Sequence, residues 1–95
     1  MPECHHLRLT FEARRLREAF CLASQLRAEG SDTVRVRPAR RQRHGWTVTA
    51  ITPPAVPTPA VIERWESTMR EVAARCQGTR FVGSRAFLAL DEHWS

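Results

Sequence analysis

Residues 33–51 read TVRVRPARRQRHGWTVTAI, and the way this stretch folds decides the fold of the whole chain. In residues 33–37, Val34 and Val36 alternate with Arg35 and Arg37, the period of two that marks a strand with one apolar and one polar side. Pro38 cannot donate to a sheet ladder, so outward arginines followed by proline mark an edge strand. After a loop at residues 39–45, Trp46, Val48 and Ala50 alternate with Thr47, Thr49 and Ile51 in a second strand that pairs back as a hairpin. Thr47, Thr49 and Ile51 then belong to the open side of the sheet.

Moving outward toward the N-terminus, residues 12–29 carry Leu16, Ala19, Phe20, Ala23 and Leu26 at helical spacing. Gly30 stands where a left-handed C-terminal cap belongs, and Thr10 offers an N-cap oxygen. Before it, residues 6–11 alternate, with Leu7, Leu9 and Phe11 on one side and His6, Arg8 and Thr10 on the other. That is the pattern of a half-buried strand.

Toward the C-terminus, Pro53, Pro54, Pro57 and Pro59 make a stiff, extended connection. Thr58 and Pro59 form an N-cap and first-turn signal, and residues 59–77 place Ile62, Trp65, Met69, Val72, Ala73 and Cys76 on one stripe. Gly78 closes this helix. Residues 80–87 supply a last strand interrupted by Gly83.

The order is strand, helix, strand, strand, helix, strand. With right-handed crossovers it gives an α+β, ferredoxin-like βαββαβ fold, a four-stranded antiparallel sheet with both helices on one face. The first and third strands are central. Residues 1–95 make a single domain, since a chain of 95 residues supports one core.

The charge balance narrows the function. Fifteen basic residues, all arginine, stand against ten acidic ones, for a net +5. Arg35, Arg37, Arg40, Arg41, Arg43 and His44 cluster on the central hairpin, and Arg8 adjoins them on the open face. Guanidinium groups grip carboxylates and phosphates through paired hydrogen bonds, so this surface suits an acidic protein or the backbone of RNA or DNA. Readers of single-stranded RNA also need aromatic stacking platforms on their central strands, and here those strands show Leu7, Leu9, Val48 and Thr49.

Chemistry finds little footing. Cys4, Cys21 and Cys76 have no paired spacing, and Cys21 lies about 140 degrees round its helix from Leu16, on the solvent side. Cys76 falls on the Trp65 stripe and reads as core. Cys4, His5 and His6 are adjacent at a chain end and cannot all point at one ion, so no metal is expected. The four histidines pair with no carboxylate by spacing, and no glycine-rich phosphate loop occurs. The expectation is a protein that is not an enzyme and needs no cofactor. The N-terminus has no long apolar run, so no membrane association and a cytoplasmic location are expected.

The stretches LASQLRAEGSDTVRVRP, GWTVTA and TPAVIERWESTMREVAARCQGTRFVG resemble the ribonuclease E inhibitor family, the B-type regulators of ribonuclease E activity. The resemblance covers about residues 11–83. It implies a ferredoxin-like fold and a non-catalytic bacterial protein that binds an endoribonuclease and modulates RNA decay. Three functions follow for testing. One is a regulatory module that binds a protein partner through the basic hairpin and open sheet. The second is a nucleic-acid-binding protein using the same arginines on phosphate. The third is a homodimer built by packing open faces, with Thr47, Thr49 and Ile51 at the contact.

Overall fold

The alternating apolar residues near the N-terminus organise the molecule. In a computed structural model, which describes residues 3–40 and 45–88, they lie on β1 (His5–Ala13), and every second residue from Leu7 to Ala13 is buried. The remaining elements are α1 (Leu16–Ala28), β2 (Thr33–Pro38), β3 (Trp46–Ile51), α2 (Pro59–Arg75) and β4 (Thr79–Leu88). The strands form one antiparallel sheet in the order β2-β3-β1-β4, so β1 and β3 are central and the proline-ended β2 is an edge. The fold is the expected ferredoxin-like one.

The two helices cover one side of the sheet. Leu7, Leu9, Phe11 and Ala13 of β1 meet Ala19, Leu22 and Leu26 of α1, Val48 and Ala50 of β3, and Met69, Val72 and Ala73 of α2 in one core. Trp46, Trp65 and Phe81 pack against its margin. Phe81 tilts against Phe11 with ring centroids 5.2 Å apart, which seals β4 to the core side.

The glycine end of α1 and the proline start of α2 form as the sequence suggests, whereas α2 ends before the expected Gly78 boundary, at Arg75 with Cys76 as an extended cap. At the end of α1 the Gly30 N–H donates to Arg27 O and the Ser31 N–H to Leu26 O, with Gly30 at φ 97°. This is a Schellman closure, and the positive φ is the reason for glycine. At the start of α2, Thr58 Oγ1 accepts from Val61 N at 3.2 Å, with Pro59 in the first turn.

The start of α1 differs from expectation. Thr10 is no cap, because β1 runs on to Ala13, where it is paired on one side with Trp46 and on the other with Thr79. Pairing with β3 and β4 satisfies the backbone of residues 10–13 in ladder hydrogen bonds, which holds them in the strand. The helix then begins at Leu16 behind Arg15, which makes no side-chain capping bond. Its buried stripe is Ala19, Leu22, Ala23 and Leu26, while Leu16 is 39% and Phe20 56% exposed.

The proline-rich connection is extended and also joined to the sheet. His5 and Ala55 exchange backbone hydrogen bonds of 2.7 and 2.9 Å. Thr52, only 1% exposed, receives the Leu7 N–H on its Oγ1 at 2.9 Å.

Candidate interaction face

The side of the sheet turned away from the helices is built in rows by strand register. Reading across β2, β3, β1 and β4, one row is Arg37, Thr47, Glu12 and Arg80. The next is Arg35, Thr49, Thr10 and Gly83, and the third is Thr33, Ile51, Arg8 and Arg85. Beyond it His6 pairs with Phe87. Neighbouring strands lie about 4.8 Å apart, so arginines on the two outer strands flank a floor of threonines.

The floor is concave. A depression of about 580 Å³ is lined by Thr10, Glu12, Thr47 and Thr49 of the central strands, with Arg37 and Arg40 on one side and Val82 on the other. The β2 end of the hairpin raises one wall, since Ala39 N donates to Gly45 O at 2.9 Å and closes the described ends of the loop. Threonine hydroxyls both donate and accept hydrogen bonds and guanidinium groups only donate, so Thr10, Thr47, Thr49, Arg37 and Arg40 offer donors to an oxygen-bearing group, beside a Glu12 carboxylate that is ion-paired with Arg80.

Charge is concentrated here and balanced elsewhere. The four strands carry Arg8, Arg35, Arg37, Arg80 and Arg85 against the single acid Glu12. Glu12 is itself ion-paired with Arg80. The two helices carry five arginines and four glutamates between them. Arg8 and Arg85 face each other directly across β1 and β4, a like-charge pairing that weakens a sheet. Arg8 is also held 5.8 Å from the Phe87 ring centroid, and His6 stacks on the same ring at 5.3 Å. The His6 Nδ1 contacts Thr52 O at 2.7 Å, which anchors the imidazole.

Of the residues singled out from sequence, Arg8, Arg35, Arg37 and Arg40 come together on or beside this face. Arg41, Arg43 and His44 lie outside the described residues. Thr47 and Thr49 are on the face and half-buried. Ile51 requires correction as a contact residue: its register is that of the open face, but it is 2% exposed, set between Thr33 and Arg8 in its row. It offers no surface to a partner.

Arg80, Arg85 and Phe87 were not foreseen. Simple alternation puts Arg80 and Arg85 on opposite faces, being five residues apart. The register of β4 against β1 slips between Thr10 and Phe11, leaving Val82 as the extra residue, 53% exposed. This bulge brings Arg80 and Arg85 to the same face. The signal that could have revealed it is Gly83 inside a strand pattern.

Among the described residues, no helix is long and apolar enough to cross a membrane. Comparison of the chain with protein-family models, with curated proteins and with solved structures gives no match. The resemblance to ribonuclease E inhibitors therefore rests on the sequence stretches that carry it.

Proposed function

We propose that this protein is a non-catalytic interaction module that binds an acidic protein partner across the helix-free sheet face and the adjoining hairpin. The observation that carries the proposal is the charge asymmetry of the sheet, five arginines against one ion-paired glutamate on the strands. Surface charge of one sign on one face speeds encounter with a partner of the opposite sign and fixes its orientation. The ribonuclease E inhibitor resemblance supports a partner engaged in RNA decay, an endoribonuclease, and a cytoplasmic setting.

A second reading, direct binding of RNA or DNA, is favoured by the Phe87 ring with its His6 and Arg8 neighbours. It has less support than the first, because the middle of β1 and β3 presents Thr10, Thr47 and Thr49 where base-stacking rings are needed. Packing two copies face to face, the third reading, brings the arginines of both copies to one interface.

A pull-down from lysate, run with and without nuclease and with the variant R35S/R37S/R40S alongside, separates these readings. The proposal expects an acidic protein that survives nuclease and is lost by the triple variant. Retained nucleic acid with no nuclease-resistant protein contradicts it. Equal retention by wild type and variant contradicts the role of the face.

A further inference from the structure

We propose that the outer edge of β4 takes an extended acidic segment of the partner as a fifth strand of the sheet. This mode of binding rests on the reading of the helix-free face as the docking surface of an acidic protein, and it specifies how that protein is held.

Backbone groups of successive residues point alternately to the two sides of a strand. In β1, His5 and Leu7 bond on the β3 side, to Ala55 and Thr52, and just past the strand the Arg14 N–H bonds on the β4 side, to Gly78 O. His6, Arg8, Thr10 and Glu12 therefore bond to β4, opposite Phe87, Arg85, Gly83 and Arg80. Phe81, Ser84 and Ala86, which lie between these on β4, turn their N–H and C=O groups to the outside. Among the described residues no strand pairs there.

Of the two edges of the sheet, β4 is the more receptive. On β2 the Ala39 N–H bonds to Gly45 O, so Val34, Val36 and Pro38 are the residues that turn outward, and proline has no N–H to offer. β4 is 10 residues long and contains no proline. Its bulge falls at Val82, and from Gly83 to Leu88 the register against β1 is unbroken. The Ser84 hydroxyl donates to Glu66 Oε2 at 2.6 Å, which ties this stretch to α2 and holds its edge in place.

Charge selects the occupant. Arg85 stands opposite Arg8, and among the described residues it has no ion pair, whereas Arg80 is paired with Glu12. A carboxylate on a fifth strand, directly across from Arg85 on the open face, supplies the missing opposite charge. On the helix side the same stretch presents exposed Ala86 and Leu88 to apolar residues of that strand. The occupant is thus a segment that alternates acidic with apolar residues, held by main-chain hydrogen bonds and chosen by its side chains. A second copy of β4 does not fit, since it brings further arginines and no acid.

The test adds the capped peptide Val-Glu-Val-Glu-Val-Glu-Val to the full chain and reads amide hydrogen exchange and chemical shifts. The peptide is expected to slow exchange at the Ser84 and Ala86 N–H groups. A copy methylated on its valine nitrogens, which must bond to β4, should not bind. Arg85→Ser should bind about two- to fivefold more weakly. Ala86→Pro removes an outward N–H where an edge strand tolerates proline, and should weaken binding about tenfold with melting unchanged. Shifts of Thr10, Thr47 and Thr49 with poly-glutamate, without protection of Ser84 and Ala86 by the peptide, overturn the fifth strand and leave the acidic docking face standing. No response to either probe overturns both. Equal binding of the methylated peptide overturns the strand pairing, and so does protection of Ser84 and Ala86 in the free protein that grows with its concentration, which puts a second copy on the edge.

Discussion

At the scale of single residues, Thr52 and Gly78 answer specific demands of the backbone, for a buried hydroxyl acceptor and for a positive φ. Thr52 closes a small circuit: its Oγ1 accepts from Leu7 N, its N–H donates to Leu7 O at 3.1 Å, and its carbonyl meets the His6 ring. Thr52→Val keeps the shape but leaves the Leu7 N–H without its acceptor in a buried setting. It should cost about 1–3 kcal/mol in denaturant unfolding, with Thr52→Ser close to wild type. Gly78 combines φ 76° with the nearby Glu18 carboxylate. Gly78→Ala should destabilise by about 1 kcal/mol or more, and adding Glu18→Ala should recover only the part due to overlap. Full recovery in the double variant would show that the backbone conformation carries no cost. Among the described residues Glu18 Oε1 is buried without a hydrogen-bond partner, which gives the carboxylate a reason to tolerate removal.

At the scale of elements, what the sequence made legible depended on whether one period or two fitted the same residues. β1, β3 and α2 each offered a single reading: Leu7, Leu9, Phe11, Val48, Ala50, Met69, Val72, Ala73 and Cys76 are buried as read, while Trp46, Ile62 and Trp65 are only partly buried and Ile51 is buried against the pattern. In α1, Leu16, Ala19, Phe20 and Ala23 fit the helical period as well as Ala19, Leu22, Ala23 and Leu26 do, with stripes rotated by roughly 60 degrees. The choice between them was made by β1, whose pairing through Ala13 delays the helix start, and that pairing is a long-range fact. Phe20→Ser should therefore change stability by less than about 0.5 kcal/mol. Leu22→Ala should cost about 2–5 kcal/mol. The reverse ranking in denaturant unfolding would restore the stripe read from sequence. β4 escaped for a related reason, since a bulge breaks the alternation that sequence reading relies on. The buried C-cap thiol of α2 adds a pH dependence. Its folded value lies above 9.0, so its contribution is complete below that pH and is lost as pH rises through the folded value. Melting of the reduced protein should fall more steeply in alkali for wild type than for Cys76→Ala.

At the scale of the whole molecule, the fold sorts charge onto one side. Sequence alone located the basic hairpin and set Arg8 beside it on the open face. The register of the sheet extends it across all four strands, adding Arg80 and Arg85 from the far edge to Arg8, Arg35 and Arg37. Such a surface should bind its partner with an affinity that falls as salt rises, because exposed charges are screened over about 8–10 Å in physiological salt. The helix layer, with balanced charge, should take no part. The measurement that tests this most directly is a backbone amide chemical-shift titration of the full chain with poly-glutamate and, separately, with a single-stranded RNA of matched charge. The account predicts that poly-glutamate shifts residues of the face, Thr10, Arg35, Thr47, Thr49 and Arg85, in low salt, with α1 and α2 unmoved and the effect abolished in high salt. Shifts concentrated on the helices, or a face that responds to RNA and ignores poly-glutamate, would contradict it.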